Sequence, residues 1–529
     1  MRKFSSYGPV DVDLHYYAPR QALLERAYEQ LVGENPAKGG HYITVWGPRQ
    51  TGKTWMMQQV LWRLQADERF DVLKINLEHL KLTEEVGQVV RAFTGEMIER
   101  LGLPVAAVDQ TDELYELFKR GVLPKPLILI LDEFDALNEM AIAGIVSVFR
   151  NVYIRRQDQA NIPSAERDYL LHGVALIGVR AVLGVENPRG SPFNVQRSLR
   201  IPNLTADEVA GMFRWYEQES GQTVEPAVVE RLFYETQGQP GLVSWFGELL
   251  TETYNETPDR PITPEQFAMV YARALNVLPN NNILNIISKA RQEPYQDAVL
   301  ELFQAREREF FTYDDARLNF LYLNGVIDRE EEAPDRQVVK FACPFVQKRL
   351  LNYFARTLFR ELGRLHPPFA DLSDTITDES LNVKNLLRRY ETYLRENRSW
   401  LLKEAPRRRD LRVYEAVYHF NFYAYLDQLL LRRRGQVLPE FPTGNGKVDL
   451  LLRYAGRSYA IEVKSYVDEY TYREALRKAA RYAQQLGLAE ITLALFVEAV
   501  DDASRTKYEA VYTDAATGVT VIPAFVATG

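Results

Sequence analysis

Residues 41–54 read His41-Tyr42-Ile43-Thr44-Val45-Trp46-Gly47-Pro48-Arg49-Gln50-Thr51-Gly52-Lys53-Thr54. The first six make a short β-rich run, and the stretch from Thr54 to Ala66 is amphipathic with helical spacing. Between them stands Gly-x-x-x-x-Gly-Lys-Thr. Glycine lets the backbone turn tightly, so several N–H groups can point into one concavity around a phosphate. The following helix adds the positive end of its dipole. In such a loop Lys53 reaches the β and γ phosphates and the Thr54 hydroxyl ligates Mg²⁺. The whole segment Gly47, Pro48, Arg49, Gln50, Thr51, Gly52, Lys53 and Thr54 is therefore the expected binding site for ATP.

Working outward, Asp71–Leu77 reads as a second strand. Pro126–Leu131 is continuously apolar, as a strand covered on both faces should be, and Gly173–Val179 is a further strand. Helical stretches alternate with these runs, so the fold class is α/β with a parallel sheet and right-handed crossovers. A nucleotide site of this kind needs an acid at the end of a neighbouring buried strand. Asp132 and Glu133 supply it: Asp132 to hold the Mg²⁺ shell, Glu133 to orient and deprotonate the attacking water. Beyond strand 173–179, Arg180 is placed to meet the γ-phosphate. Arg189, Arg197 and Arg200 follow, where an arginine finger acting between subunits of a homo-oligomer would sit.

A length of 529 residues implies three or four domains. The net charge of −8 advertises no nucleic-acid binding by the chain as a whole, so any basic surface must be local. The single cysteine, Cys343, excludes an internal disulfide and a cysteine-based zinc site. The N-terminus lacks the apolar core of a signal peptide, and no apolar run approaches the ~20 residues of a membrane span. These features imply a cytoplasmic protein without a membrane partner.

The pattern expected along the chain is an ATPase core over 1–204, a helical lid over 205–275 and a winged-helix-like domain over 276–365. A basic helical linker over 366–410 and a compact α/β domain over 411–529 follow. In the last domain, two β-rich runs flank Tyr454–Arg457 and read as a hairpin. A turn centred on Ala455-Gly456 places Asp449 directly opposite Glu462, with Lys464 on the same face. Two opposed carboxylates are unfavourable unless compensated, and Mg²⁺ is the natural compensator. The metal, held by Asp449 and Glu462, would polarise a scissile phosphate while Lys464 orients or activates its bound water. Between Lys384 and Arg434, thirteen basic residues face six acidic ones, a local excess of +7 suited to a phosphate backbone.

Two resemblances add to these readings. WGPRQTGKT, LILDEFDAL, NPRGSPFNVQRSLRIPNLTADEV and GQPGLV resemble the AAA-like ATPases of the STAND/ASCE group. The opening YYAPRQALLERAYEQL is similar to that group's N-terminal flanking helix. This resemblance implies an AAA-like core with a lid and winged helix, working as a switch in defence or mobile-element biology. The second stretch, about 411–500, resembles the PD-(D/E)XK nuclease superfamily, with Val448 where that pattern often has proline. It implies a restriction-endonuclease-like domain, in which Glu415 on the preceding helix joins Asp449, Glu462 and Lys464, with Mn²⁺ as an alternative to Mg²⁺. It also assigns Arg473, Arg477, Arg481 and Gln484 to the helix after the hairpin. Together these imply an ATP-hydrolysing machine controlling an endonuclease that acts on nucleic acid, DNA before RNA. The rival is a switch or DNA-loading ATPase whose nuclease-like domain binds nucleic acid or a partner without cutting.

Overall fold

The computed structural model describes residues 1–178, 197–304, 309–409, 412–431, 433–440, 449–465 and 468–529, with backbone only at 304, 440, 449 and 465. The chain divides into two compact units, Met1–Ala274 with Tyr313–Gly325, and Leu275–Thr312 with Val326–Gly529. Among the described residues no helix is long and apolar enough to cross a membrane.

The first unit begins with α1 (Gln21–Val32), β1 (Tyr42–Trp46), α2 (Lys53–Gln65), β2 (Asp71–Asn76) and α3 (Val86–Leu101). It continues with β3 (Leu127–Asp132), α4 (Glu139–Asp158), β4 (Leu171–Gly178) and β5 (Arg197–Arg200). Every β1, β3 and β4 side chain is buried, which is why these runs read as continuously apolar. The five strands form a parallel sheet in the order β2-β3-β4-β1-β5. One expectation is corrected here: β3, which ends in Asp132, is not the neighbour of the loop strand β1. The fully buried β4 lies between them, and β5, unpredicted, closes the other edge. Two cores result, one on each face of the sheet.

The helices α5 (Ala206–Ser220), α6 (Pro226–Thr236), α7 (Pro240–Glu248) and α8 (Pro264–Asn276) follow. Thr205 opens α5 with a reciprocal capping box to Glu208, the feature its sequence position suggests. Then come α9 (Asn281–Ala290), α10 (Tyr295–Gln304) and α11 (Ala316–Leu323). The antiparallel pair β6 (Ile327–Ala333) and β7 (Arg336–Phe341) and the helix α12 (Pro344–Leu358) follow. Residues 313–325, including α11, group with the first unit, and the hairpin and α12 with the second.

The remaining elements are α13 (Val383–Leu401), α14 (Glu415–Leu431), β8 (Gln436–Glu440), β9 (Asp449–Tyr454), β10 (Arg457–Ser465) and α15 (Glu469–Gln485). They end with β11 (Glu490–Val497), α16 (Asp502–Tyr508), β12 (Tyr512–Thr513) and β13 (Thr520–Ala527). The sheet order is β12-β13-β11-β10-β9-β8. Strands β8, β9 and β10 meander antiparallel, while β10, β11 and β13 run parallel.

The stretch 366–410 is not a linker. Helix α13 packs against β13 and β11, with Val383, Leu386, Leu387, Tyr390, Tyr393 and Leu394 buried; Tyr390 meets the rings of Phe422 and Tyr425 on α14 and Phe496 on β11, and Tyr393 that of Tyr425. Its basic residues are partly spent in holding it there. Arg388 pairs with Glu509 and donates to the Phe525 carbonyl at 3.0 Å, while Arg389 pairs with Asp374 and Thr375. On the other side, Glu509 accepts from the Phe525 N–H at 3.0 Å, and Glu391 accepts from Arg505 at 2.5 Å and the Ala527 N–H at 2.8 Å. The +7 excess is thus smaller at the surface than in the sequence; Arg395, Arg398, Lys403, Arg407, Arg408, Arg409, Arg412 and Arg434 remain exposed.

Glu509→Ala leaves the Arg388 guanidinium and a strand N–H without their shared acceptor. It is expected to destabilise the second unit by roughly 2–4 kcal/mol. Denaturant unfolding followed through that unit's transition checks this; a change below about 0.5 kcal/mol, the range of ordinary surface substitutions, contradicts it.

Candidate functional site: a nucleotide-binding loop and a charged hairpin

The loop after β1 delivers Lys53 to the carboxyl end of the sheet as the first residue of α2. The side chain is only 8% exposed, and its ammonium donates to the Gly47 and Pro48 carbonyls, each at 2.9 Å. Burial pushes this ammonium down to about 8, against the pull of Glu133, Asp135 and Asp132. Thr54 donates its hydroxyl to Asp132 Oδ1 at 3.3 Å, so the predicted pair does meet although β4 separates their strands. Asp132 is buried, and its Oδ2 makes no hydrogen bond but lies 3.2 Å from the ammonium of Lys74. A hydroxyl and a buried carboxylate are the hard oxygen donors that Mg²⁺ prefers, so these residues fit the ion.

Glu133 sits in the left-handed region, with φ 53°, a strained backbone for a non-glycine residue and one that clusters at functional sites. Its carboxyl is pushed up by burial first and by Asp135 second, with Lys53 opposing. Lys74 and Asp135 were not singled out from sequence. Lys74 alternates along β2 into the register of β3, which only the strand order reveals.

The start of α7 meets the loop directly. Gln239, in the GQPG segment at the start of α7, donates to the Arg49 carbonyl at 3.0 Å and the Gln50 carbonyl at 3.3 Å. The Gly241 N–H donates to the Gln50 carbonyl at 3.1 Å. A Cβ at Gly241 would meet Gln50 Oε1 at 2.3 Å and its Cβ at 2.6 Å, so only glycine fits the close approach. Gln50 itself has φ 56°. Gly47 through Thr54 thus converge with Asp132 and Glu133, held from the start of α7. Arg180 and Arg189 lie outside the described residues. Arg197 is paired with Glu34 at 2.9 Å, and the Arg200 guanidinium lies 5.1 Å from the Tyr322 ring centroid.

In the second unit the hairpin has the expected register: Arg457 faces Tyr454, Tyr459 faces Leu452 and Ile461 faces Leu450. Ala455 and Gly456 form the turn with φ 49° and 74°, the handedness that matches strand twist. The paired ladder ends at Leu450 opposite Ile461, one step short of Asp449 and Glu462, and the Asp449 side chain lies outside the described part of the chain. Glu462 and Lys464 are 5% and 9% exposed and form an ion pair with each other. Alternation puts them on the face of Ala460, which belongs to the core beneath α15. Glu415 is the first residue of α14 and half-buried, and Arg473, Arg477, Arg481 and Gln484 are exposed on α15. Among the described residues no group of three or more His, Cys, Asp or Glu side chains is arranged to hold a metal.

Residues 5–256 match the family model of the AAA-like domain, so the first unit contains an AAA-like P-loop domain. No curated protein matches the chain in sequence. Among solved structures, the chain is similar to the Walker-type ATPase paby2304 of Pyrococcus abyssi, with 14% identity, coverage of 66% of this chain and 99% of that one, and a TM-score of 0.40. It is also similar to the Aeropyrum pernix ORC1 protein in complex with DNA, with 17% identity, 63% and 92% coverage and a TM-score of 0.33. The Thermotoga maritima RuvB Holliday junction branch migration motor matches at 15% identity, 61% and 92% coverage and a TM-score of 0.33. The domain assignment rests on the family match and the loop's own geometry.

Two predictions follow from the loop. Because burial depresses the Lys53 pKa from 10.5 to about 8, the folded protein gives up a proton that the unfolded chain keeps between those values. The resulting penalty is fully present below pH 8 and fades as pH rises toward the unfolded value. Lys53→Met should therefore raise the unfolding free energy of nucleotide-free protein at pH 7 by up to roughly 3 kcal/mol, read by denaturant unfolding, and this gain should shrink through pH 8–10.5. A gain unchanged at high pH contradicts the assignment. Separately, Gly241→Ala should weaken binding of a fluorescent ATP analogue by about tenfold or more, with partial recovery in Gly241→Ala/Gln50→Gly. Unchanged affinity contradicts the latch.

Proposed function

We propose that the chain is an ATP-binding and ATP-hydrolysing AAA-like ATPase that controls a Mg²⁺-dependent endonuclease in its C-terminal unit, acting on nucleic acid and on DNA before RNA. In this reading Gly47–Thr54 cradle the phosphates, Thr54 and Asp132 hold the Mg²⁺ that neutralises phosphate charge, and Glu133 takes the proton of the attacking water. The lid over 205–275 and the winged-helix-like segment over 276–365 report the nucleotide state, and a cytoplasmic homo-oligomer is the setting in which a finger such as Arg180 would act.

One observation carries the nuclease half. The order α14-β8-β9-β10-α15-β11 is helix, antiparallel meander, crossover helix and parallel strand, and it brings buried Glu462 and Lys464 together at the strand after the Asp449 hairpin. A buried acid–ammonium pair in a hairpin has a high desolvation cost and little worth as a brace, which favours a chemical role. Asp449 and Glu462 would ligate the metal, Lys464 would orient its water, and Glu415 would complete the acidic set. The exposed arginines of 395–412 and α15 suit contact with a phosphate backbone.

A second reading is favoured by the same pair: Lys464 and Glu462 satisfy each other directly, as they would in a domain that binds without cutting. Incubating plasmid DNA, single-stranded DNA and RNA with the full chain in Mg²⁺ or Mn²⁺ decides between them. The nuclease reading expects cleavage, lowered by roughly 10²-fold or more in Glu462→Gln that melts like wild type. Intact substrates in both metals, with ATP turnover present, overturn it in favour of the binding reading.

A further inference from the structure

Strand alternation brings Lys74 and Asp132 to one spot. On β3, Ile128 and Ile130 belong to the core beneath α2, so Asp132, two residues on, projects from the same face. On β2, Val72 packs against that core, and Lys74 projects there as well. The parallel register sets Asn76 against Asp132 and Lys74 against Ile130, which makes Lys74 and Asp132 diagonal neighbours. The Lys74 ammonium lies 3.2 Å from Asp132 Oδ2 and donates to Gln58 Oε1 on α2 at 3.3 Å. Gln58 stands one turn after Thr54, whose hydroxyl donates to the other carboxylate oxygen, Oδ1, at 3.3 Å. The Glu133 N–H also donates to Oδ1, at 3.2 Å.

As a brace this pair is costly. The side chains of Asp132 and Lys74 are 1% and 14% exposed, and taking two charges out of water often costs more than their attraction returns. A second valine at 74, continuing the pattern of Val72, would pack on the same core without that cost. Lys53 does not take Lys74's place, because its ammonium is held by the Gly47 and Pro48 carbonyls. What Lys74 supplies is a positive charge on a buried carboxylate that must stay ionised to serve a metal.

We propose that Lys74 is a positioning residue of the metal site and the counter-ion of Asp132 in nucleotide-free protein. It holds the carboxylate by Oδ2, so that Oδ1 stays on the Thr54 side. It also offsets the carboxylate's charge, so a bare divalent cation gains little there and is repelled by two ammoniums, Lys53 and Lys74. Mg²⁺ then enters only with nucleotide, whose phosphates bring the negative charge that outweighs both. This rests on the nucleotide-binding reading above and names the residue that makes the site refuse metal alone.

Two measurements on the full chain without nucleotide test this: Mn²⁺ binding by electron paramagnetic resonance, and melting temperature without metal. Lys74→Met is expected to gain a Mn²⁺ ion at concentrations about tenfold or more below those at which wild type gains it. It is also expected to melt roughly 5 °C or more below wild type, its carboxylate being left buried and unpaired. Asp132→Asn/Lys74→Met removes that carboxylate. It is expected to melt within about 2 °C of wild type and to lose the gained Mn²⁺ site. Equal Mn²⁺ binding, or an unchanged melting temperature, in Lys74→Met overturns the inference. So does failure of both variants to fold, since the fault would then not lie with the carboxylate. Equilibrium dialysis of wild type with ADP and Mg²⁺ separates the two readings. Absence of ADP binding overturns the nucleotide reading and this inference with it, whereas ADP binding with unchanged Mn²⁺ binding in Lys74→Met overturns this inference alone.

Discussion

Lys53 carries its charge into a place where almost no water reaches it, and the architecture of the first unit answers to that fact. An ammonium in a low-dielectric site is tolerable only with fixed partners, and here these are two carbonyls of its own loop. Carboxylates at and just after the end of β3, Asp132, Glu133 and Asp135, stand near enough to favour its charge. Bringing them there requires β3 and β1 to end at the same level. The parallel sheet, with β4 wedged between and buried throughout, imposes that level. Phosphate is the ligand such an arrangement suits: an anion that supplies what the buried ammonium lacks. Helix α7 contributes through the Gln239 side chain, which donates to the Arg49 and Gln50 carbonyls, so loop shape and the start of α7 are tied to one another.

The second unit meets a related difficulty with different means. Its buried Glu462 and Lys464 compensate each other, and its helix α13 is fastened by charges divided between Glu391, Glu509, Arg388 and Arg505. The latter cluster is structural: every carboxylate oxygen named there also accepts from a strand-end N–H or a guanidinium, as a brace should.

Much of this was legible in the sequence, for identifiable reasons. Fully buried strands announce themselves as unbroken apolar runs, and the loop motif is a local signal. The hairpin register followed from Ala455-Gly456, because a two-residue turn fixes every cross-strand partner at once. Strand order is not local information, so the place of β4 and the neighbours Lys74 and Asp135 stayed hidden. The docking of α13 did have a signal: Leu386, Leu387, Tyr390, Tyr393 and Leu394 repeat at helical spacing, but the dense arginines drew the reading toward a surface. The GQPG segment was marked as distinctive, whereas its contact with Gln50 spans about 190 residues and no local pattern encodes it.

The central claim is that nucleotide in the first unit governs chemistry in the second. Its most direct test is the rate at which the full chain cuts end-labelled DNA in Mg²⁺ with ATP, with ADP and with neither, in wild type and in Lys53→Ala. Coupling of ordinary strength, about 1–3 kcal/mol, predicts wild-type rates that differ by roughly 5–150-fold between ATP and ADP, and no difference in Lys53→Ala. Equal wild-type rates in all three conditions would contradict the account.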